Sequence, residues 1–102
     1  MEILQNEKLK FGSVAKKILL LLKGGLVLSL TQRPDNYFRI VKGITKEWQT
    51  INKRTLHESI KRLYQSKMID YKENEDGTIA LILSDEGKRR ALCYNLETLK
   101  IK

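Results

Sequence analysis

The stretch RTLHESIKRLYQSKMIDYKENEDG, residues 54–77, carries two different apolar periods, and this change constrains the fold more than any other feature of the chain. In its first half, apolar residues recur at the spacing of one face of a helix. In its second half, apolar and polar residues alternate, as they do in a half-buried strand. We therefore predict a helix over residues 52–66 with Asn52 as its cap. The apolar residues of this helix are Leu56, Ile60, Leu63 and Tyr64.

The alternating half is expected to form a hairpin over residues 68–83, with MIDYKE as one strand, NEDG as the turn and TIALIL as the return strand. A last helix is expected over residues 84–95, capped by Ser84. Two acidic residues follow this cap, at the positive end of the helix dipole. We expect the last helix to pack on the first helix or on a second copy of itself, because Ala91, Leu92 and Leu96 would otherwise leave an apolar edge exposed.

The first part of the chain predicts two more helices. The first runs from a Ser13 cap to about Lys23, where two glycines end it. The apolar run at residues 26–30 fits either a strand or a buried helical turn. Pro34 suits the first position of a second helix that would end before residue 43, with Tyr37, Phe38, Ile40 and Val41 on its apolar side.

The segment GITKEWQTINK, residues 43–53, is expected to form a turn or a short helical piece. We expect its Trp48 to be a buried anchor and not a base-stacking surface, because its large apolar area stabilises a small domain only when it is buried. Together these elements predict one α+β domain, mainly α, over residues 1–102. Residues 1–10 would form an N-terminal arm.

Charge is the main compositional clue to a partner. The chain of 102 residues has a formal net charge of +8, which attracts polyanions such as nucleic acid or an acidic membrane. A single cysteine and the lack of a sequence resembling a secretory signal favour a cytoplasmic setting. The apolar run at residues 18–30 is broken by Lys23, Gly24 and Gly25, so we do not expect it to span a membrane.

The side of the predicted helix at residues 52–66 that lies opposite its apolar stripe is basic and rich in hydrogen-bonding groups. Taken alone, such a face is consistent with plain solvation as well as with recognition of a partner. It is formed by Arg54, His57, Glu58, Lys61, Arg62 and Gln65.

The order of elements from residue 11 onwards resembles a winged helix-turn-helix domain of transcription regulators, and more narrowly the N-terminal domain of the PaaX-like repressor family. The resemblance is carried by RTLHESIKRLYQSKMID, similar to a recognition helix that turns into the first strand of a wing. It is also carried by LILSDEGKRRAL, similar to the junction between wing and last helix. YNLETLKIK is similar to the segment that leads into the next domain of longer family members.

The resemblance implies a three-helix core, a two-stranded wing at residues 68–83 and repression through double-stranded DNA, with the helix at 52–66 in the major groove. By position, Arg54, Thr55 and Glu58 would read base edges. Lys53, Lys61 and Arg62 would partly contact phosphates. A homodimer on paired half-sites is expected to be possible.

The sequence departs from this pattern at the tip of the predicted wing. The residues ENEDG carry negative charge that would oppose close approach to phosphate. This feature favours an alternative, a winged helix that binds another protein instead of DNA. An enzyme is not expected, because His57 and Cys93 fall in separate elements without a carboxylate cluster or a phosphate loop. Nor is a metal or cofactor expected, since the sequence shows no ligand set.

Overall fold

A computed structural model describes the backbone of the protein at residues 11–42 and 45–101, and its side chains at 11–41 and 45–94. The predicted N-terminal arm, residues 1–10, lies outside the described residues. The elements follow in the order α1 (Ser13–Lys23), β1 (Ser29–Leu30), β2 (Ile40–Lys42), α2 (Lys46–Gln49), α3 (Lys53–Gln65), β3 (Ile69–Glu73), β4 (Ile79–Leu83) and α4 (Asp85–Ile101). The protein is therefore α+β, as predicted.

The strands form one antiparallel sheet in the order β2-β1-β4-β3. The predicted hairpin is present as β3 and β4, with Ile69 opposite Leu83 at its base and Glu73 opposite Ile79 near its tip. It is not isolated, however, because β1 pairs with β4 and places Leu30 opposite Ile79. The apolar run at residues 26–30 thus contributes a short strand, which decides between the two alternatives left open by the sequence.

The core lies between this sheet and the helices. Three residues of the predicted apolar stripe of α3 are buried, with Leu56, Ile60 and Leu63 at most 3% exposed. The fourth, Tyr64, is half-buried. Helix α4 packs on α1 within the same chain, and Ala91 is fully buried there. Its neighbour Leu92 remains 48% exposed. The side chain of Leu96, the third residue of the expected apolar edge, lies outside the described residues.

The predicted helix at Pro34 is wrong. The backbone N–H of Thr31 donates to the carbonyl of Arg39 at 2.8 Å, and the N–H of Arg39 donates to the Thr31 hydroxyl at 2.9 Å. These bonds close a loop, after which β2 pairs with β1. Phe38 is 2% exposed and its neighbours Tyr37 and Arg39 are exposed, which is the alternation of an extended chain. Pairing of β1 with β2 provides hydrogen-bond partners for backbone groups that would have bonded within the predicted helix.

Three predicted caps have different outcomes. Asn52 caps α3 by accepting hydrogen bonds from the N–H groups of Arg54 and Thr55 at 3.0 and 3.2 Å. Ser84 caps α4 by accepting from the N–H of Gly87 at 3.0 Å, although this helix continues well beyond the predicted end at residue 95. The Ser13 cap is wrong, because Gly12 occupies the N-cap position of α1 without a side-chain hydrogen bond.

Candidate nucleic-acid interface

Helix α3 is held at its N-terminal end by the short helix α2 and a tight turn. Trp48 of α2 is 1% exposed, as predicted, and Ile51 in the turn is 8% exposed. The carbonyl of Trp48 accepts from the N–H of Ile51 at 3.1 Å, and Asn52 then caps α3. Helices α2 and α3 are therefore joined by a turn that is anchored in the core.

A second set of contacts fixes this turn to helix α1. The Lys17 ammonium donates to the Thr50 hydroxyl at 2.6 Å, and the same hydroxyl donates to the carbonyl of Glu47 at 2.7 Å. The two bonds span α1, α2 and the turn. They show a role for Thr50 that the apolar periodicity of the sequence could not indicate.

The outward side of α3 carries a stripe of four residues at the helical spacing of four, seven and eleven, directly opposite the buried stripe. All four are exposed, and we call them the outer stripe: Arg54, Glu58, Lys61 and Gln65. Two cationic donors, one acceptor and one amide therefore lie on one rigid, solvent-facing surface. These groups are suited to base edges and phosphates alike.

The other predicted site residues of α3 lie at its flanks, not on this surface. His57 is half-buried, its ring stacked on Phe38 with centroids 4.9 Å apart and planes 7° apart. Its Nδ1–H donates to the Lys53 carbonyl at 2.8 Å. The guanidinium of Arg62 lies 5.7 Å from the centre of the Phe11 ring on the opposite flank.

The remaining two predicted residues lie at the N-terminal end of α3. Lys53 is exposed and Thr55 is half-buried. Thr55 shares the lining of a groove with Lys17 and Thr50. The structure thus divides the predicted set into the four residues of the outer stripe, two exposed residues beside it, Lys53 and Arg62, and two half-buried residues, Thr55 and His57.

The loop between β1 and β2, residues 31–39, runs along the His57 side of α3. At one end Phe38 contacts His57, and at the other Asp35 lines a hollow together with Tyr64 and Gln65. The sequence analysis assigned this segment to a helix and therefore missed the contact. Alternation of buried Phe38 with exposed neighbours was the signal that could have revealed it.

Two charged residues brace this loop. The Arg33 guanidinium donates from Nη2 and Nε to the Asp35 carboxylate at 2.7 and 3.2 Å. This contact lowers the pKa of the Asp35 carboxyl below its usual value and raises the pKa of Arg33. Arg33 also lies over the Tyr71 ring of β3, 5.6 Å from its centre, so the loop contacts both α3 and the sheet.

The turn between β3 and β4 is tightly ordered and acidic. Asp76 accepts from the N–H and hydroxyl of Thr78 at 3.0 and 2.6 Å, and Gly77 has a φ of +86°. Glu73, Glu75 and Asp76 are all exposed here. The negative tip expected from the sequence is therefore present on the surface.

Within the described parts of the chain there is no group of three or more residues that could bind a metal ion. No helix in those parts has the length and apolar character needed to cross a membrane. The chain matches no model of a protein family, and comparisons with curated proteins and with solved structures give no match. The resemblance to PaaX-like repressors thus stays a prediction from the sequence.

Proposed function

We propose that this protein binds double-stranded DNA as a winged helix-turn-helix regulator, with α3 as the recognition helix. The observation that carries this proposal is the outer stripe. It places Arg54 and Lys61 on the exposed side of a helix whose opposite side is fixed in the core. A helix that reads DNA needs an exposed side with hydrogen-bonding groups, and its other side must be held rigidly by packing against the core.

The arrangement around α3 supports the same proposal. Two helices joined by a tight turn precede a β-hairpin, and β1 pairs with the second strand of that hairpin. The N-terminal end of a recognition helix meets base edges, so Arg54 would contact guanine and Glu58 would accept from cytosine. Lys61 lies about two turns further along, where a point charge suits phosphate. The net charge of +8 adds general attraction to the duplex.

The acidic β3–β4 turn favours a second candidate, a module that binds another protein. Three exposed carboxylates at the tip would oppose insertion into a groove and suit a basic protein surface. The two functions differ in which residues contact the partner. DNA binding requires the outer stripe of α3, whereas a protein partner at the hairpin requires Glu73, Glu75 and Asp76.

Salt dependence of binding tests the proposal. Fluorescence anisotropy would be measured with a labelled mixed-sequence duplex over a series of salt concentrations. We expect the logarithm of the affinity to fall linearly with the logarithm of salt concentration, because phosphate neutralisation releases counterions. Absence of duplex binding even at low salt would contradict the proposal. Tight binding without salt dependence would also contradict it.

A further inference from the structure

We propose that the β1–β2 loop, residues 31–39, is the second DNA-contacting element of this protein and lies against a sugar–phosphate strand beside α3. This inference rests on the proposed function of α3. In a winged helix with a basic wing, the β3–β4 turn would contact the DNA backbone. Here we assign that contact to the β1–β2 loop.

The first argument is position. The loop follows the side of α3 from Asp35, which lines the same hollow as Tyr64 and Gln65, to Phe38, which stacks on His57. A helix with its side chains is about 10–12 Å across and the major groove is about 12 Å wide, so a recognition helix fills the groove. An element packed along its flank therefore meets the wall of the groove, which is a phosphate strand.

The second argument is the direction of the side chains. Phe38 is buried towards α3, and alternation along the extended segment places Tyr37 and Arg39 on the other side of the loop. Tyr37 is 77% exposed, which is unusual for a large aromatic residue in a small domain. Its hydroxyl and the Arg39 guanidinium are both groups that bind phosphate oxygens.

The third argument is charge. The loop TQRPDNYFR carries two arginines against one aspartate, and Arg33 is bonded to that aspartate, which leaves Arg39 as its uncompensated charge. The β3–β4 turn emerges from the same end of the sheet, because Leu30 at the end of β1 is opposite Ile79 at the start of β4. Of the two neighbouring elements, only the β1–β2 loop has a sign of charge that suits phosphate.

The fourth argument is rigidity. Arg33 binds Asp35 and contacts Tyr71, and the loop is closed by the hydrogen bonds between Thr31 and Arg39. The loop therefore needs little ordering when it meets a partner, and ordering of side chains and loops is one of the main costs of association.

Tethered cleavage tests the position of the loop. Tyr37→Cys and Glu75→Cys would each be made in a Cys93→Ser background and labelled with an iron–EDTA reagent that cuts nearby DNA. Val27→Cys, an exposed position towards the other end of the sheet, is the negative control. We expect strong cutting of a bound mixed-sequence duplex from position 37, weaker cutting from 75 and background cutting from 27.

Each alternative result has a defined meaning. Cutting from position 75 alone, or from neither position while the labelled protein still binds duplex, overturns the assignment of the loop but leaves α3 in place. A protein that binds no duplex overturns the proposed function and this inference with it.

A substitution tests the charge that makes the contact. Arg39→Gln should weaken binding to every duplex and lower the salt slope by about one unit. Lys23→Gln, which removes the same charge from the C-terminal end of α1, should change the slope much less. Equal effects of the two substitutions would show that only net charge matters and would overturn the role of Arg39.

Discussion

The backbone of Gly87 in helix α4 lies directly against the carbonyl group of Met68, the residue that precedes strand β3. A Cβ atom built on Gly87 would overlap the carbonyl oxygen of Met68 and lie 2.9 Å from its carbonyl carbon. Ser84 joins the same junction, since its hydroxyl donates to the carbonyl of Lys67 at 2.6 Å. The first turn of α4 is therefore packed tightly against the chain between α3 and β3.

This contact predicts that Gly87→Ala destabilises the protein. Helix propensity alone would favour alanine by about 1 kcal/mol. The overlap is with backbone atoms, which cannot rotate away, so we expect a net loss of about 1–3 kcal/mol in the free energy of unfolding. Urea unfolding followed by the fluorescence of Trp48, the only tryptophan, measures this change.

Gly24→Ala is the matched control. Gly24 has a φ of −74°, and a Cβ atom there would lie 3.5 Å from the nearest carbonyl oxygens, an ordinary contact. We expect stability to remain equal or to rise by about 0.4–1 kcal/mol, because alanine restricts the unfolded chain. Equal stability of Gly87→Ala and wild type would show that α4 can move away from Met68 without cost.

The buried stripe of α3 predicts a large effect of Leu63→Ala. Leu63 is fully buried, so its truncation should lower the free energy of unfolding by about 2–5 kcal/mol. Gln65→Ala, two residues along on the outer stripe, should change it by at most about 0.5 kcal/mol. Urea unfolding of both variants under the same conditions would check the difference. A loss of unfolding free energy in Leu63→Ala as small as that in Gln65→Ala would mean that this side of α3 is not packed in the core.

The contact between Arg33 and Asp35 predicts the acid behaviour of the β1–β2 loop. Since the folded protein lowers the pKa of Asp35 below its ordinary 3.8, the contact is fully formed above that pH. It is lost only as the pH falls through the lowered value. Arg33→Gln should return the pKa of Asp35 towards 3.8, as measured by NMR titration of its carboxyl carbon. An unchanged pKa in the variant would show that the pair is not formed in solution.

The sequence alone predicted those parts of the fold that depend on local chemistry. The period of Leu56, Ile60 and Leu63 identified α3, and Asn52 and Ser84 were recognised as caps because their side chains act within three residues. The position of the outer stripe followed from the same period.

One local prediction is wrong, the Ser13 cap, because Gly12 occupies the N-cap position. The other failures concern contacts between residues that are distant in the sequence. Pro34 and its apolar neighbours fit a helix locally, but pairing of β2 with β1 and the stacking of Phe38 on His57 override that preference. For the same reason His57 was assigned to the outward face, although it lies at the flank. The hydrogen bond from Lys17 to Thr50 joins α1 to the turn before α3, and no spacing of residues in the sequence indicates it.

Arg54 and Lys61 should differ in what they contribute to DNA binding. If Arg54 reads a base edge, Arg54→Ala should cost about 1–3 kcal/mol at the preferred sequence and much less on random duplex. Lys61→Ala, as loss of a phosphate contact, should weaken all duplexes alike and lower the salt slope by about one unit. Anisotropy titrations on a selected and a random duplex separate the two. Equal losses on both duplexes for Arg54→Ala would contradict a base-reading role.

Reversal of both charges on the outer stripe is the most direct test of the recognition helix. Arg54→Glu with Lys61→Glu should abolish duplex binding, because two phosphate- or base-binding cations become repulsive anions. Thermal unfolding should change little, since both side chains are exposed and exposed charges contribute little to stability.

Lys23→Glu with Lys88→Glu is the matched control for this charge reversal. Lys23 at the end of α1 and Lys88 in the first turn of α4 line the same hollow, and their reversal lowers the net charge of +8 by the same amount. We expect the control to bind duplex with an affinity reduced only by the loss of general attraction. If both double variants fold and lose binding equally, binding depends on net charge and not on α3. If the outer-stripe variant binds duplex as wild type does, α3 is not the recognition helix and the protein-binding function becomes the better candidate.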